Sequence, residues 1–408
     1  MKASTRPPTA TDPGTDLRAG NAPVLGNGAV GLLAVAAAIA VANGYYIQPL
    51  LLDVSRSLAI PRGLVGILPA LSQIGLACGL AFLLPLGDIV SARRLLSWVI
   101  PVQVAALILF AASRSAVSVA AAALLIGVFG ITPYVLPPHV SRHVPAARLG
   151  HVTAVLTRGV IVGILLARAA SGAIGTHLGW RATYWIAAAL MAAELVFLFR
   201  VIGPGPATPP ARRVRYPELI ASLPHLLRTV PELRAAASCQ ALAFGSFNVF
   251  WLGATLTLQA PPFGWTPQAV GLVAVVGAIA ASVAPRFGRV IDRIGPRATR
   301  RAALAGMAAA WVLLAISAGH LAGMAVGLVV LDVAAAVVDI SNRTILYGLD
   351  DGIRTRLNAV YQVAMFSGGA VMSVLVGVCW AGGGWLALCA LGLMPVLVAF
   401  NRCRGVER

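Results

Sequence analysis

Long apolar runs, broken by short polar turns, fill almost the whole chain. A helix rises about 1.5 Å per residue, so about 20 apolar residues cross a bilayer core. By that measure the pattern predicts twelve membrane-spanning helices. Six lie at roughly 25–52, 63–86, 95–113, 117–138, 152–175 and 181–201. Six more lie at roughly 236–260, 268–287, 302–319, 321–345, 357–380 and 384–401. The separation is weakest between the third and fourth runs and between the ninth and tenth. The two sets flank a polar stretch, 202–234, holding Gly203-Pro204-Gly205-Pro206, Pro209-Pro210, Arg212, Arg213 and Arg215. Its Pro/Gly part cannot continue a helix. Leu219, Leu223, Leu226 and Leu227 recur at helical spacing, which predicts a short interfacial helix between Glu218 and Arg234. The expected organisation is a disordered cytosolic tail (1–22), a six-helix bundle (23–201), a cytosolic linker (202–234), a second bundle (235–401) and a cytosolic tail (402–408).

Composition agrees with lipid as the main solvent. Hydrophobic residues make up 59% and charged residues 11%, too few to coat a water-facing globule of this length. The net charge of +18 would suggest nucleic acid in a soluble protein, but here the cations sit in loops. Lys2 is the single lysine; the rest are arginines. Arg93, Arg94, Arg142, Arg148, Arg212, Arg213, Arg215, Arg293, Arg297, Arg300, Arg301, Arg354, Arg402 and Arg404 share one side, while Arg56, Arg62, Arg114 and Arg181 share the other. The positive-inside rule then puts both termini in the cytosol of a bacterial inner membrane. Cys78, Cys239, Cys379, Cys389 and Cys403 form no CxxC pair and read as small packing residues. No nucleotide loop, metal cluster or nucleophile constellation stands out, so no cofactor, metal or enzymatic activity is expected.

One polar feature occurs twice. Asp88 and Asp292 lie half a chain apart, each in a turn after the second apolar run of its half. Gly87-Asp88 leads to Arg93-Arg94, and Gly288-Arg289-Val290-Ile291-Asp292-Arg293-Ile294-Gly295-Pro296-Arg297 repeats the arrangement. Duplicated units of this kind belong to secondary transporters. The second copy matches the loop signature G-x-L-x-D-R-x-G-R-R, and over roughly 25–401 the chain resembles a bacterial twelve-helix drug/proton antiporter-like permease of the major facilitator superfamily. That resemblance implies an all-α polytopic fold with two pseudo-symmetric six-helix bundles. It also implies that Asp88 and Asp292, with Arg93, Arg293 and Arg297 nearby, brace one state of an alternating-access cycle. The first copy, Leu84 to Arg93, lacks the leading Gly, the basic residue after Asp and the later Gly. The fourth run, Ala122–Val135, has no Arg. The fifth has Gly159-xxx-Gly163, a close-approach pattern, in place of the family's Gly-Pro.

Charges at membrane depth are functional candidates by default. Asp332 lies about 15 Å into the tenth run, and Arg168 lies mid-depth in the fifth. They come from opposite halves and have no partner close in sequence. They are therefore expected to form a state-dependent pair in which protonation of Asp332 releases Arg168. Asp339 has Arg343 one turn away and reads as a structural ion pair. Glu194, two turns from the cytosolic side in a run expected at the periphery, reads as structural. Asn43, Tyr46 and Gln48, with Tyr134, Asn248, Trp251 and Gln362, are the polar groups expected around a mostly apolar substrate cavity. Such a cavity suits an amphipathic organic compound better than a sugar. The function predicted is proton-coupled efflux by a monomer whose partners are a small molecule, protons and lipid. Proton-linked uptake of a metabolite and a transport-inactive sensor or scaffold are the alternatives.

Overall fold

A computed structural model describes residues 26–141, 143–203, 215–318, 320–349 and 353–405. The predicted N-terminal tail, Arg142 and residues 204–214, with Arg212 and Arg213, lie outside the described residues. So does the end of the C-terminal tail. Those described form helices joined by turns, with no strand among them.

Twelve spans follow in order. They are α1 (Asn27–Ser57), α2 (Arg62–Asp88), α3 (Ala92–Ala112), α4 (Ala116–Ser141), α5 (Ala146–Leu178) and α6 (Trp180–Val201), then α7 (Pro231–Gln259), α8 (Pro267–Val283), α9 (Pro296–Ile316), α10 (Leu321–Tyr347), α11 (354–383) and α12 (385–405). Only helices satisfy every backbone group within one segment inside lipid, hence the all-helical solution. Their starts are written locally. Ser91 Oγ accepts from the Arg94 N–H ahead of α3, and Ser115 and Ser118 form a capping box for α4. Pro231 and Pro296 sit in the first turns of α7 and α9, where a missing N–H costs nothing. The last two spans meet at Gly384, whose φ of 57° is a left-handed conformation that glycine adopts without strain.

The linker differs from one helix over 218–234. A helix runs over Tyr216–Thr229 and stops before Pro231, which opens α7. Its Leu223 and Leu226 pack on Leu233, Leu346, Leu357 and Tyr361, so this helix lies against protein.

The two sets of six repeat the same pairings: α1 with α5 as α7 with α11, α3 with α6 as α9 with α12, and α3 with α4 as α9 with α10. Glycines permit the tightest crossings. Gly159 and Gly163 of α5 lie against the Ala34 and Ala38 backbone of α1, and Gly368 of α11 against Ala241 of α7. Between the halves, α2 packs on α11, α5 on α8 and α1 on α7. The closest of these approaches cluster at one end of the molecule. Gly66 and Gly63 of α2 meet Ser373 and Gly377 of α11, and Gly172 of α5 meets Pro267 of α8. Gln259 donates to the Pro49 carbonyl there at 2.6 Å.

Candidate functional site

A cavity lies between the halves, with about 680 Å3 of empty space, open solvent included, between its walls. Two interrupted helices of the first half build its floor. In α1 the helix gives way to a turn over Asn43–Tyr46, and α4 is likewise broken between Val128 and Thr132. Irregular backbone at this depth is tolerated where it lines a cavity. Asn43, Gly44, Tyr45 and Gln48 line it from α1, Ser72 and Gln73 from α2, Gln103 from α3, and Gly130 and Tyr134 from α4. The second half supplies Phe244, Phe247 and Asn248 of α7 and Phe366 of α11.

The two walls differ in chemistry. Phe244 stacks near Phe247 with centroids 6.0 Å apart and meets Phe366 edge-on at 5.5 Å, and Tyr134 meets Phe366 edge-on at 6.2 Å. Asn248 is committed to α11, donating to Ser373 Oγ at 2.5 Å and to the Gly369 carbonyl at 3.3 Å. The first half instead presents amides with unmet bonds. Gln103 is 0% exposed, and neither its Oε1 nor its Nε2 has a partner. Asn43 donates back to the Ala40 carbonyl at 3.2 Å while its Oδ1 is unpartnered, and Gln73 Oε1 is unpartnered as well.

Arg168, 4% exposed, stands beside this wall. Its Nε donates to Gln48 Oε1 at 2.6 Å, and its guanidinium lies 3.7 Å from the Trp251 ring centroid and 5.2 Å from that of Tyr45. On the second half Asp332 is half-buried, with Oδ1 unpartnered. Trp251 lies beside both charges. Its indole N–H faces Asp332 without completing a hydrogen bond. Gly277 of α8 makes the room: a Cβ there would sit 3.0 Å from Asp332 Oδ2 and 3.4 Å from the Trp251 ring. Arg168 and Asp332 are thus within electrostatic reach and out of contact.

The other candidates fall in several places. Asn43, Tyr134 and Asn248 line the cavity, Trp251 lies beside both charges, and Gln362 is buried on α11 one turn from Phe366. Tyr46 packs edge-on to Tyr184 of α6, 6.4 Å between centroids, and Tyr45 lines the cavity instead. Asp339 and Arg343 pair at 2.9 Å. Tyr361 O–H donates to Asp339 at 2.7 Å, and Arg343 donates to Asn358 at 3.0 Å. Arg93 donates to the Ile202 carbonyl at 3.0 Å, tying the α2–α3 turn to the end of α6. Asp88, Asp292, Arg293 and Arg297 are exposed. Glu194 turns inward from α6, 0% exposed, with both carboxyl oxygens unpartnered. Sequence reasoning missed Tyr45, Ser72, Gln73 and Gln103 among the polar cavity residues, and the three phenylalanines Phe244, Phe247 and Phe366; one amide in an apolar run carries no periodic signal.

A family model for the Major Facilitator Superfamily matches residues 33–252. The chain is 31% identical over 369 residues to the uncharacterized transporter YgaY of Escherichia coli, covering 90% of this chain and 92% of that one. It is 32% identical over 378 residues to the probable transporter SCO4007 of Streptomyces coelicolor, covering 88% and 83%. Among solved structures, the nucleoside transporter NupG superposes with a TM-score of 0.73 at 12% identity, covering 93% of this chain and 99% of that one. The human organic anion transporter MFSD10 does so with a TM-score of 0.67 at 16% identity, covering 92% and 98%. At these identities the structural likeness concerns the fold.

Proposed function

The chain belongs to the major facilitator superfamily and is a multi-pass membrane transporter, and from that premise we propose that it exports a small amphipathic compound in exchange for protons. The observation that carries this reading is the placement of Arg168 and Asp332, one from each half, both beside Trp251 and within electrostatic reach of each other. An ionised Asp332 draws Arg168 towards the second half. A protonated Asp332 lets Arg168 rest on Gln48, as it does here. Gln48 also lines the cavity, so proton and substrate meet at one side chain. The loop acids Asp88 and Asp292, with Arg93, Arg293 and Arg297, bias the balance between the two packings of the halves. With the termini cytosolic, the glycine-closed end faces outward and the cavity loads from inside.

Everted vesicles under an imposed pH gradient test the reading. Compounds come from a screen that compares deletion and overexpression strains. Wild type accumulates substrate when the gradient is applied. Asp332→Asn abolishes that accumulation and retains substrate counterflow, because alternation no longer needs the proton. Undiminished pH-driven accumulation by the variant would exclude Asp332 as the proton carrier.

A further inference from the structure

The cavity wall carries information about the charge and shape of its occupant. Building on the transporter reading, we infer that the compound carried is uncharged, planar and aromatic, with a hydrogen-bond donor and acceptor side by side on one edge. Gln103 is the residue that selects it.

Charge comes first. Among the described residues, no Asp, Glu, Arg, Lys or His lines the cavity. Beside the wall, Arg168 is already bonded to Gln48 and stacked on Trp251, and Arg343, near Tyr134, is paired with Asp339. Asp332 does not line the cavity and sits against Gly277 beside Trp251. An ion entering this space would shed its hydration with no opposite charge to meet it, which is costly. A neutral solute avoids that loss.

Shape follows from the second half. Phe244, Phe247 and Phe366 form a continuous aromatic face, and Tyr45 and Tyr134 close the sides. Ring faces stack and slide against such a wall at low directional cost.

The edge follows from the first half. Gln103 is fully buried on the cavity wall, and both ends of its amide are unpartnered. Whichever way that amide is turned, it offers one N–H donor group beside one C=O acceptor. An aromatic carboxamide or lactam edge completes both bonds at once. Asn43 Oδ1 offers a further acceptor to an N–H group of the same solute. A buried site built on such groups rejects a partner that leaves them unmet.

Isosteric probes separate these properties. Benzamide, benzoate and benzamidine share shape and differ in charge, and 2-naphthamide, 2-naphthoate and 2-naphthamidine do the same at larger size. Titration calorimetry on the purified full-length protein should show each amide binding about tenfold more tightly than either matching ion. Gln103→Leu should lower amide affinity about tenfold, and Gln103→Glu should move the preference to the amidines. A thermal melt of each variant reports its fold, and the charge preference of wild type needs no variant at all. If an ion binds wild type as tightly as its amide, the inference falls and transport stands. If none of the six binds, the inference also falls, and the vesicle assay decides separately whether transport survives. Unchanged amide affinity in a folded Gln103→Leu removes Gln103 from the selecting role.

Discussion

Polar side chains within the spans fall into those whose bonds are met inside the chain and those whose bonds are not. Asp339 and Arg343 belong to the first kind, held by Tyr361 and Asn358. Asp339→Ala would leave the Arg343 guanidinium without its counter-charge in a partly covered site. We expect a loss of about 2–3 kcal/mol, below the 3–5 of a fully buried pair, read as a lower melting temperature in detergent. Asp339→Ala combined with Arg343→Met should recover much of it, since an apolar pair needs no partner. A double variant no more stable than the single one would contradict this account. Gln103, Asn43 and Glu194 belong to the second kind. The ionisable members of both kinds were legible in the sequence, because a charge in an apolar run is conspicuous. Gln103 was not, because an amide there is common and its meaning depends on which side of α3 turns inward. Tyr45 and Tyr46 make the same point: both sit in the break in α1, and composition does not say which of two adjacent tyrosines faces the cavity.

At the scale of elements, interruptions and glycines matter more than helix lengths. The breaks at Asn43–Tyr46 and between Val128 and Thr132 coincide with the cavity, yet neither is marked by a proline at the break itself. The spans were readable because each needs about 20 apolar residues. Their interruptions were not, because tertiary packing supplies the partners that make a break tolerable. Glycine contacts close one end between the halves. A Cβ at Gly66 would overlap the Ser373 carbonyl, which is backbone and cannot swing aside. Gly66→Val should therefore hold that end apart while leaving each half folded. In a background with the five cysteines replaced, Ser72→Cys on the cavity wall should label faster with an impermeant thiol reagent when Gly66→Val is added. Equal labelling with and without the valine would show that the end closes without this contact.

At the scale of the whole molecule, the repeat of pairings across the two halves was foreshadowed by the duplicated Asp88 and Asp292 turns. The interface between the halves was not, since it depends on faces set by packing. Arginine placement predicts that reporter fusions after Arg215 and after Arg404 both score cytosolic; an external score at either position would break the twelve-span arrangement. In the structure, Arg93 and Arg148 tie one end together, through Ile202 and Asn27, while Arg181 bonds Ser113 at the other. The unlike walls of the cavity bear on how such a protein changes over time. Hydrogen bonds discriminate between compounds, whereas ring faces hold many compounds about equally. Mutations in α1 to α4 would then rewrite what is carried, and mutations in α7 and α11 would adjust only how firmly it is held. The two halves, similar in architecture, would drift under different selection, one as a lock being recut and the other as a grip being tightened or relaxed.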